Sequence, residues 1–412
     1  MSEADFQRIA LGEIAYLEMG QSPDSRYVFD DPFVGYPFLQ GNAEFGAVFP
    51  EPEFGCTKPA KMCRTGDVLI SVRAPVGAVN IANRDYCIGR GLAAIRAPNI
   101  KSSLMGELIA RQSSELRRVA QGTTFEAINK KDLHSLVLNI PPNDDLPVVA
   151  QILDVLDAAI AQTEAIIAKL KAVKQGLLHD LLTRGIDANG ELRPPYSEAP
   201  QLYKQSALGW IPKEWSVCNV SDVGEVRTGR TPPGSDQSAW GTSLPFITPG
   251  DIQADQRVTE AERYISERGA KYVQVLPGGS VVVVCIGSTI GKVGITTVDS
   301  CTNQQINAVI PNHGIDREFL FFALCLHANQ MRWMAGLQAV PIVKKSAFET
   351  IKVPIPSLEE QQAIAAGATC LDMRIEGEMS ALGKLKKEKI GLIDDLLTGR
   401  VRVTPLLDAT TA

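Results

Sequence analysis

Asp180-Leu-Leu-Thr-Arg-Gly185 and Asp395-Leu-Leu-Thr-Gly-Arg400 are near-copies of one another, 215 residues apart. Each closes a long amphipathic segment. Each segment is entered through a proline turn, Ile140-Pro141-Pro142 before the first and Ile355-Pro356-Ser357 before the second. Working outward, Ile128–Leu133 (INKKDL) answers Ile342–Lys345 (IVKK), and Tyr36-Pro-Phe-Leu-Gln40 answers Leu244-Pro-Phe-Ile-Thr248. Gly66-Asp-Val-Leu-Ile-Ser71 answers Gly279-Ser-Val-Val-Val-Val-Cys285, Val76-Gly-Ala-Val-Asn-Ile81 answers Ile290-Gly-Lys-Val-Gly-Ile295, and Cys87 answers Cys301. A period this large means two whole domain-plus-helix units, not a solenoid of small repeats.

The repeat predicts an α+β fold class: two tandem α+β domains and two long helices packed as an antiparallel coiled coil with pseudo-two-fold symmetry. The first domain covers 1–145, with β-type runs at Val68–Val72, Val76–Ile81 and Leu92–Ile95 and one helix from Lys101 to Val119. Proline after Ile140 ends it. A helix follows within 146–185, with Leu153, Leu156, Ile160, Ile167, Leu170 and Leu177 at the spacing of a coiled-coil seam. At about 35 residues it is roughly 50 Å long, more than a domain face of this size covers. Gly185 stands where a glycine cap is expected. The connector is 186–212, and the second domain is 213–357, with Phe319–Met331 as the counterpart helix. The second long helix, 358–400, carries Leu371, Ile375, Leu382, Leu385 and Leu392 in the same register, and a tail follows over 401–412. Thr163 and Lys174 interrupt the first seam; Glu378 and Lys389 interrupt the second at the same places.

At 412 residues the chain exceeds one ordinary core. Hydrophobic residues make up 45% and charged residues 21%, a globular balance. No uncharged run reaches the length of a membrane span, and Met1-Ser-Glu-Ala-Asp5 has no export-signal character, so no membrane partner and a cytoplasmic location are expected. The eight cysteines form no Cys-x-x-Cys pair and read as buried thiols. His134, His179, His313 and His327 are dispersed and suggest neither a metal site nor a triad. The net charge of −6 weighs against nucleic acid, but affinity follows where Lys and Arg sit relative to phosphates. The acidic excess falls on the first domain, the connector and the second helix, while residues 213–357 are neutral.

These motifs resemble the specificity subunit of type I restriction-modification systems, over nearly the whole chain. The resemblance is carried by Gly122-Thr-Thr-Phe-Glu-Ala-Ile-Asn-Lys-Lys-Asp-Leu133, Val137-Leu-Asn-Ile-Pro-Pro142, Leu358-Glu-Glu-Gln-Gln-Ala-Ile364 and Lys204-Gln-Ser-Ala-Leu-Gly-Trp-Ile-Pro-Lys-Glu-Trp215. The chain departs from the pattern at Asp145-Leu-Pro-Val-Val-Ala-Gln151, which lacks the Glu-Gln-Gln opening, and at Ala339-Val-Pro-Ile-Val-Lys-Lys345.

The resemblance implies a non-catalytic subunit whose two target recognition domains each read one half of a bipartite site on double-stranded DNA. Its helices would bind two methyltransferase subunits, with two restriction subunits in the full complex. It implies no cofactor in this chain; S-adenosylmethionine, ATP and Mg belong to those partners. The adenine to be methylated must leave the base stack, which the assembled clamp supports.

Readers of base edges and phosphates are expected among polar loop residues, with Gln and Asn suited to adenine and Arg and Lys to guanine or phosphate. In the first domain these are Gln40, Asn42, Arg73, Arg90, Lys130 and Lys131. In the second they are Arg227, Thr228, Arg230, Ser288, Thr289, Gln304, Gln305, Lys344 and Lys345.

Arg193-Pro-Pro-Tyr196 is similar to the Asn/Asp-Pro-Pro-Tyr motif of adenine methyltransferases. Arginine cannot accept the amino group's hydrogen bond, however, and no cofactor loop accompanies it. Gly287-Ser-Thr-Ile-Gly-Lys292 is one residue short of a phosphate loop and reads as a tight turn between strands. The remaining alternative is a coiled-coil scaffold whose globular heads bind protein rather than DNA.

Overall fold

The computed structural model describes residues 6–46, 49–121, 127–252, 256–336, 340–401 and 403. The expected tail lies outside these apart from Val401 and Val403, as do residues 122–126 of the closing segment, Ala339 and the first five residues. The chain divides into two compact units, one formed by Met1–Ile167 with Glu378–Ala412, the other by Ala168–Gly377. Each therefore holds one α+β head and half of each long helix.

The long helices run over Leu146–Thr183 and Leu358–Leu397. The first ends as expected at Gly185, whose φ of 67° lets its N–H reach the Asp180 carbonyl at 3.3 Å. The second begins on Ser357, whose hydroxyl accepts from the Glu360 N–H at 3.3 Å, with Glu359 and Glu360 in the positive first turn. Part of Leu146–Thr183 is apolar enough over 18 residues to cross a bilayer by length and composition, although it is interrupted by charged residues. Of that stretch 22% is buried inside the protein, and both ends of the helix join a head's core. Leu146, Val149, Ala150 and Leu153 join the first head's core with Ile393, Leu396 and Leu397, while Leu181 and Leu182 join the second's with Ile364, Ala365 and Ala368.

In the first head, Gln7–Ala10 pairs antiparallel with Val137–Ile140, closing the domain where the chain enters its helix. Tyr16–Met19, Leu92–Arg96, Val68–Ser71 and Val79–Ile81 form an antiparallel sheet in that order. A second, five-stranded sheet is built on Tyr36–Leu39, parallel to Tyr86–Ile88.

The second head repeats this plan. Ser216–Asn219 closes on Lys352–Ile355, and Gly224–Thr228, Ile306–Pro311, Val281–Val284 and Val293–Thr296 take the antiparallel order, extended by Gln256–Val258. Trp240–Ile247 runs parallel to Cys301–Thr302. Phe38 stands opposite Cys87 and Phe246 opposite Cys301, so the sequence pairs fall at equivalent sites.

Two expected helices are broken. Lys101–Val119 is two helices, Ser102–Ala110 and Ser113–Gln121, and Phe319–Met331 is Arg317–Leu326 and Ala328–Ala335. The second piece of each abuts a glycine turn of the neighbouring sheet. A Cβ on Gly77 would lie 3.2 Å from Ser113, and one on Gly291 would lie 2.7 Å from the Ala328 carbonyl. The chain jogs to seat on that turn.

Two of the seam interruptions, Lys174 and Lys389, are ion pairs, whereas the Thr163 hydroxyl donates to the Ala159 carbonyl of its own helix at 2.8 Å. Lys174, only 7% exposed, meets Asp372 at 2.6 Å with its ammonium 5.8 Å from the Phe322 ring. Lys389 meets Asp157 and Glu107, both at 2.7 Å. Lysine, aspartate and head residue are each displaced by 215 positions between the units: Lys174 and Lys389, Asp157 and Asp372, Glu107 and Phe322. Within each unit one lysine thus bridges the facing helix and the head. The second head substitutes an aromatic face for a carboxylate, which also attracts the cation. Together with Lys386–Glu164 at 2.7 Å, the first unit's pairs advance along one helix as they recede along the other, so the halves are antiparallel there.

Burial works against the Lys389 charge, but hydrogen bonds to Asp157 and Glu107 outweigh it and raise its pKa above the ordinary 10.5. A raised lysine contributes stability that is complete below that value and is lost as pH climbs through the higher folded one. Lys389→Met is therefore expected to narrow the gap between the variant and the parent only above about pH 10.5 in thermal melts. Lys174→Ala, which strands a half-buried carboxylate, is expected to cost on the order of 3 kcal/mol in denaturant unfolding, and Lys174→Asp with Asp372→Lys to recover part of it. A Lys174→Ala protein as stable as the parent would contradict the clamp.

Candidate functional site

In the first head five segments converge on one open cleft of about 500 Å³, lined by Ser22, Gln40, Asn42, Glu44, Arg73 and Arg90 among others. Backbone bonds hold the segments in place. Past the end of its strand, Gly20 donates to the Leu92 carbonyl at 2.9 Å, and Gln21 donates to Ile88 at 2.9 Å. Gly89 donates to Leu39 at 2.8 Å, which carries the Arg90 turn against the Gln40 loop. Ile128 donates to Val72 at 3.0 Å, and Ala127 bridges Arg73, bringing the Asn129–Lys131 turn to the same strand end.

One acid of this cleft, Glu44, has identifiable work. Glu44 is buried, and its carboxylate accepts from the Gln40 and Gly41 N–H groups at 3.3 and 3.1 Å, folding the loop that presents Gln40 and Asn42. Glu53 also lines the cleft, exposed. Elsewhere Arg96 is held by the buried Asp67 through bonds of 2.7 and 2.6 Å, a structural pair. Gln40, Arg73, Arg90, Lys130 and Lys131 are exposed and Asn42 is half-buried. No ion pair engages Arg73, Arg90, Lys130 or Lys131 among the described residues. The structure thus brings Gln40, Asn42, Arg73 and Arg90 together in the cleft, with Lys130 and Lys131 on the short helix Lys130–His134 beside it, capped by Asn129.

The second head has the same scaffold. Gly229 donates to Ile306 at 3.0 Å, Arg230 to Thr302 at 2.9 Å, Asn303 to Ile247 at 3.1 Å and Val343 to Cys285 at 2.8 Å. These bonds equate Gly20 with Gly229, Gln21 with Arg230, Ser22 with Thr231, Arg90 with Gln304 and Lys130 with Lys345. Asp251 plays the part of Glu44, accepting from the Thr248 N–H at 2.8 Å and its hydroxyl at 2.7 Å.

Arg230, Ser288, Gln304, Lys344 and Lys345 are exposed. Lys345 carries a 3.4 Å pair with Glu349, of the kind that contributes little at a surface. Ser288 and the half-buried Thr289 lie in the Gly287–Lys292 region, which is a turn between Val281–Val284 and Val293–Thr296, as its spacing suggested.

Three expected readers are engaged inside the head. Arg227 grips Glu225 through two bonds of 2.7 and 2.8 Å and donates to the Val275 carbonyl at 3.1 Å. Thr228 donates to Asn307 at 2.7 Å, and Gln305 accepts from Asn303 at 2.9 Å while its backbone carbonyl holds Cys285.

Ser22 and Thr231 escaped the sequence reading. Their signal was the recurrence of Gly-x-Ser/Thr after the equivalent strands, Gly20-Gln-Ser22 and Gly229-Arg-Thr231.

Of the other motifs, Arg193 is locked to Glu360 at 2.5 and 3.2 Å, and Tyr196 stacks on Trp210 at 4.2 Å, so that segment is structural. Burial pushes the thiols of Cys63, Cys87, Cys285 and Cys301 up to about 12, far from thiolate chemistry at neutrality. Among the described residues no group of three or more His, Cys, Asp or Glu side chains is placed to hold a metal ion.

The profile of the family described as type I restriction modification DNA specificity domain matches residues 3–172 and again 212–382. A putative type I restriction enzyme MjaX specificity subunit from Methanocaldococcus jannaschii is 36% identical over 183 residues, 43% of each chain. The MjaIX specificity subunit of the same organism is 31% identical over 43% of this chain and 42% of its own. The match thus spans under half the length of these two relatives. The MjaVIII specificity subunit is 26% identical over 74% of this chain and 73% of its own.

Among solved structures, a type I restriction-modification S subunit from M. genitalium superimposes with a TM-score of 0.61 at 15% identity, covering 94% of this chain and 95% of that one. A chain from a type I R-M assembly does so with a TM-score of 0.53 at 16% identity, covering 96% and 98%. At these identities the likeness is one of fold.

The convergence of segments depends on two glycines. A Cβ on Gly20 would lie 2.1 Å from the Gly89 carbonyl oxygen, and one on Gly229 would lie 2.2 Å from that of Asn303. Gly20→Ala is expected to lower stability by about 1–3 kcal/mol through forced backbone movement. A thermal melt unchanged from the parent would refute the close packing of these turns.

Proposed function

We propose, from the premise that the chain belongs to the type I restriction modification DNA specificity family, that it is the non-catalytic sequence reader of such a complex. Each head reads one half of a bipartite site on double-stranded DNA. The observation that carries this is the doubled scaffold: the same backbone bonds assemble the same convergent turns in both heads, while the side chains they present differ. A scaffold kept and refitted suits two readings by one geometry, with phosphate contacts fixing register and base contacts giving sequence.

The reading residues in the first head are Gln40, Asn42, Arg73, Arg90, Lys130 and Lys131. In the second they are Arg230, Ser288, Thr289, Gln304, Lys344 and Lys345, with Arg227, Thr228 and Gln305 supporting the turns. The heads correspond to 1–145 and 213–357, with the connector 186–212 leading from the first long helix into the second head. The helical regions 146–185 and 358–400 form the docking face for methyltransferase and, in the full complex, restriction subunits, through helices whose seams are Leu153, Leu156, Ile160, Ile167, Leu170 and Leu177, and Leu371, Ile375, Leu382, Leu385 and Leu392. S-adenosylmethionine, ATP and Mg would act on those partners, in the cytoplasm.

The purified chain is expected to show no methylation or cleavage with S-adenosylmethionine, Mg²⁺ and ATP; turnover would end the non-catalytic reading. In complex with a methyltransferase subunit, Lys130→Ala and Lys345→Ala should each weaken duplex binding uniformly across sequences. Each should also reduce the salt slope by about one, the signature of a lost phosphate contact. If neither affinity nor slope changes and the heads instead retain a protein ligand, the scaffold alternative replaces this one.

A further inference from the structure

Arg90 and Gln304 occupy one structural position in two heads, and the exchange between them points to what that position reads. The correspondence rests on backbone bonds on both sides. Gly20 to Leu92 matches Gly229 to Ile306, Gln21 to Ile88 matches Arg230 to Thr302, and Gly89 to Leu39 matches Asn303 to Ile247. A hydroxyl stands beside the position in each head. The Arg90 N–H donates to Ser22 Oγ at 3.5 Å, and Thr231 Oγ1 donates to Gln304 Oε1 at 2.7 Å. Both side chains are exposed, and no ion pair engages the Arg90 guanidinium among the described residues.

A contrast within the same chain separates base from backbone contact. Lys130 and Lys345, each the first residue of its short helix, keep a cation in both heads. Every half-site carries phosphates, so a phosphate contact has reason to stay cationic. At the 90/304 position the cation gives way to a neutral amide, which removes the attraction for phosphate but retains directional hydrogen bonding. Arginine's fork matches the O6 and N7 acceptors of guanine, whereas a glutamine amide matches the N7 acceptor and N6 donor of adenine. The Thr231 hydroxyl occupies one lone pair of Gln304 Oε1, leaving the second lone pair and the amide hydrogens for a base edge.

We propose that this position sets base identity in each half-site, Arg90 selecting a guanine and Gln304 an adenine. The inference rests on the reading of the heads as DNA readers and adds to it one named position per head.

The test uses the full chain with its methyltransferase subunits, and maps methylated sites by single-molecule sequencing for parent, Arg90→Gln and Gln304→Arg. Arg90→Gln is expected to change one guanine to adenine in one half-site, with preference shifted about tenfold or more, and to leave the other half-site alone. Gln304→Arg should make the reverse change in the other half. If Arg90→Gln methylates the parental site with affinity reduced equally for all sequences, Arg90 is a phosphate contact and the inference falls while the reader function stands. If both variants keep the parental site and affinity, the position reads nothing and the inference likewise falls. If the parent complex itself shows no sequence preference, the reader function falls together with it.

Discussion

One lysine in each unit, Lys174 buried and Lys389 half-buried, ties a head to its half of the helix pair. Lys174 reaches Asp372 across the helices and the Phe322 ring in the head; Lys389 reaches Asp157 and Glu107. Desolvating an ammonium is costly unless good partners meet it, and removing one partner leaves the other charge stranded. The energetics therefore penalise a slipped register more than they reward the correct one. In each unit, helix register and head placement are enforced together, because a single cation serves both. A polar layer at a coiled-coil seam is a known means of specifying register at some expense in stability.

The same duplication that keeps these lysines lets other positions change. Backbone bonds at the turn glycines recur in both heads, as does a carboxylate folding the loop after the parallel strand, Glu44 in one and Asp251 in the other. Those features build the surface. The side chains carried on that surface have diverged, Arg90 against Gln304 and Gln21 against Arg230. The chain thus combines a backbone frame repeated in both heads with a few exposed positions whose side chains differ.

The architecture was legible because periodicity and repetition report on burial. The seam spacing gave both long helices to within a residue or two, and the shared interruptions at Lys174 and Lys389 marked polar contacts before their partners were visible. The breaks in Lys101–Val119 and Phe319–Met331 were not legible, since apolar spacing runs through them. At each break the second helix starts against a glycine turn distant in sequence, Gly77 or Gly291.

At the site, residue type indicated candidates but not availability. Glu225 and Arg227 share one face of a strand, so their pairing was in principle readable from the two-residue period. The alignment of Lys130 with Lys345, one residue off the match of Lys-Lys pairs, needed the Ile128 and Val343 backbone bonds.

The central claim is that the two heads read independently from a common scaffold. It is tested most directly by replacing residues 213–357 with the corresponding domain of a relative of different specificity, and mapping methylation by the reconstituted complex. Independent reading predicts that one half of the target changes to that of the donor and the other half stays as it was. A target changed in both halves, or in neither, would contradict it.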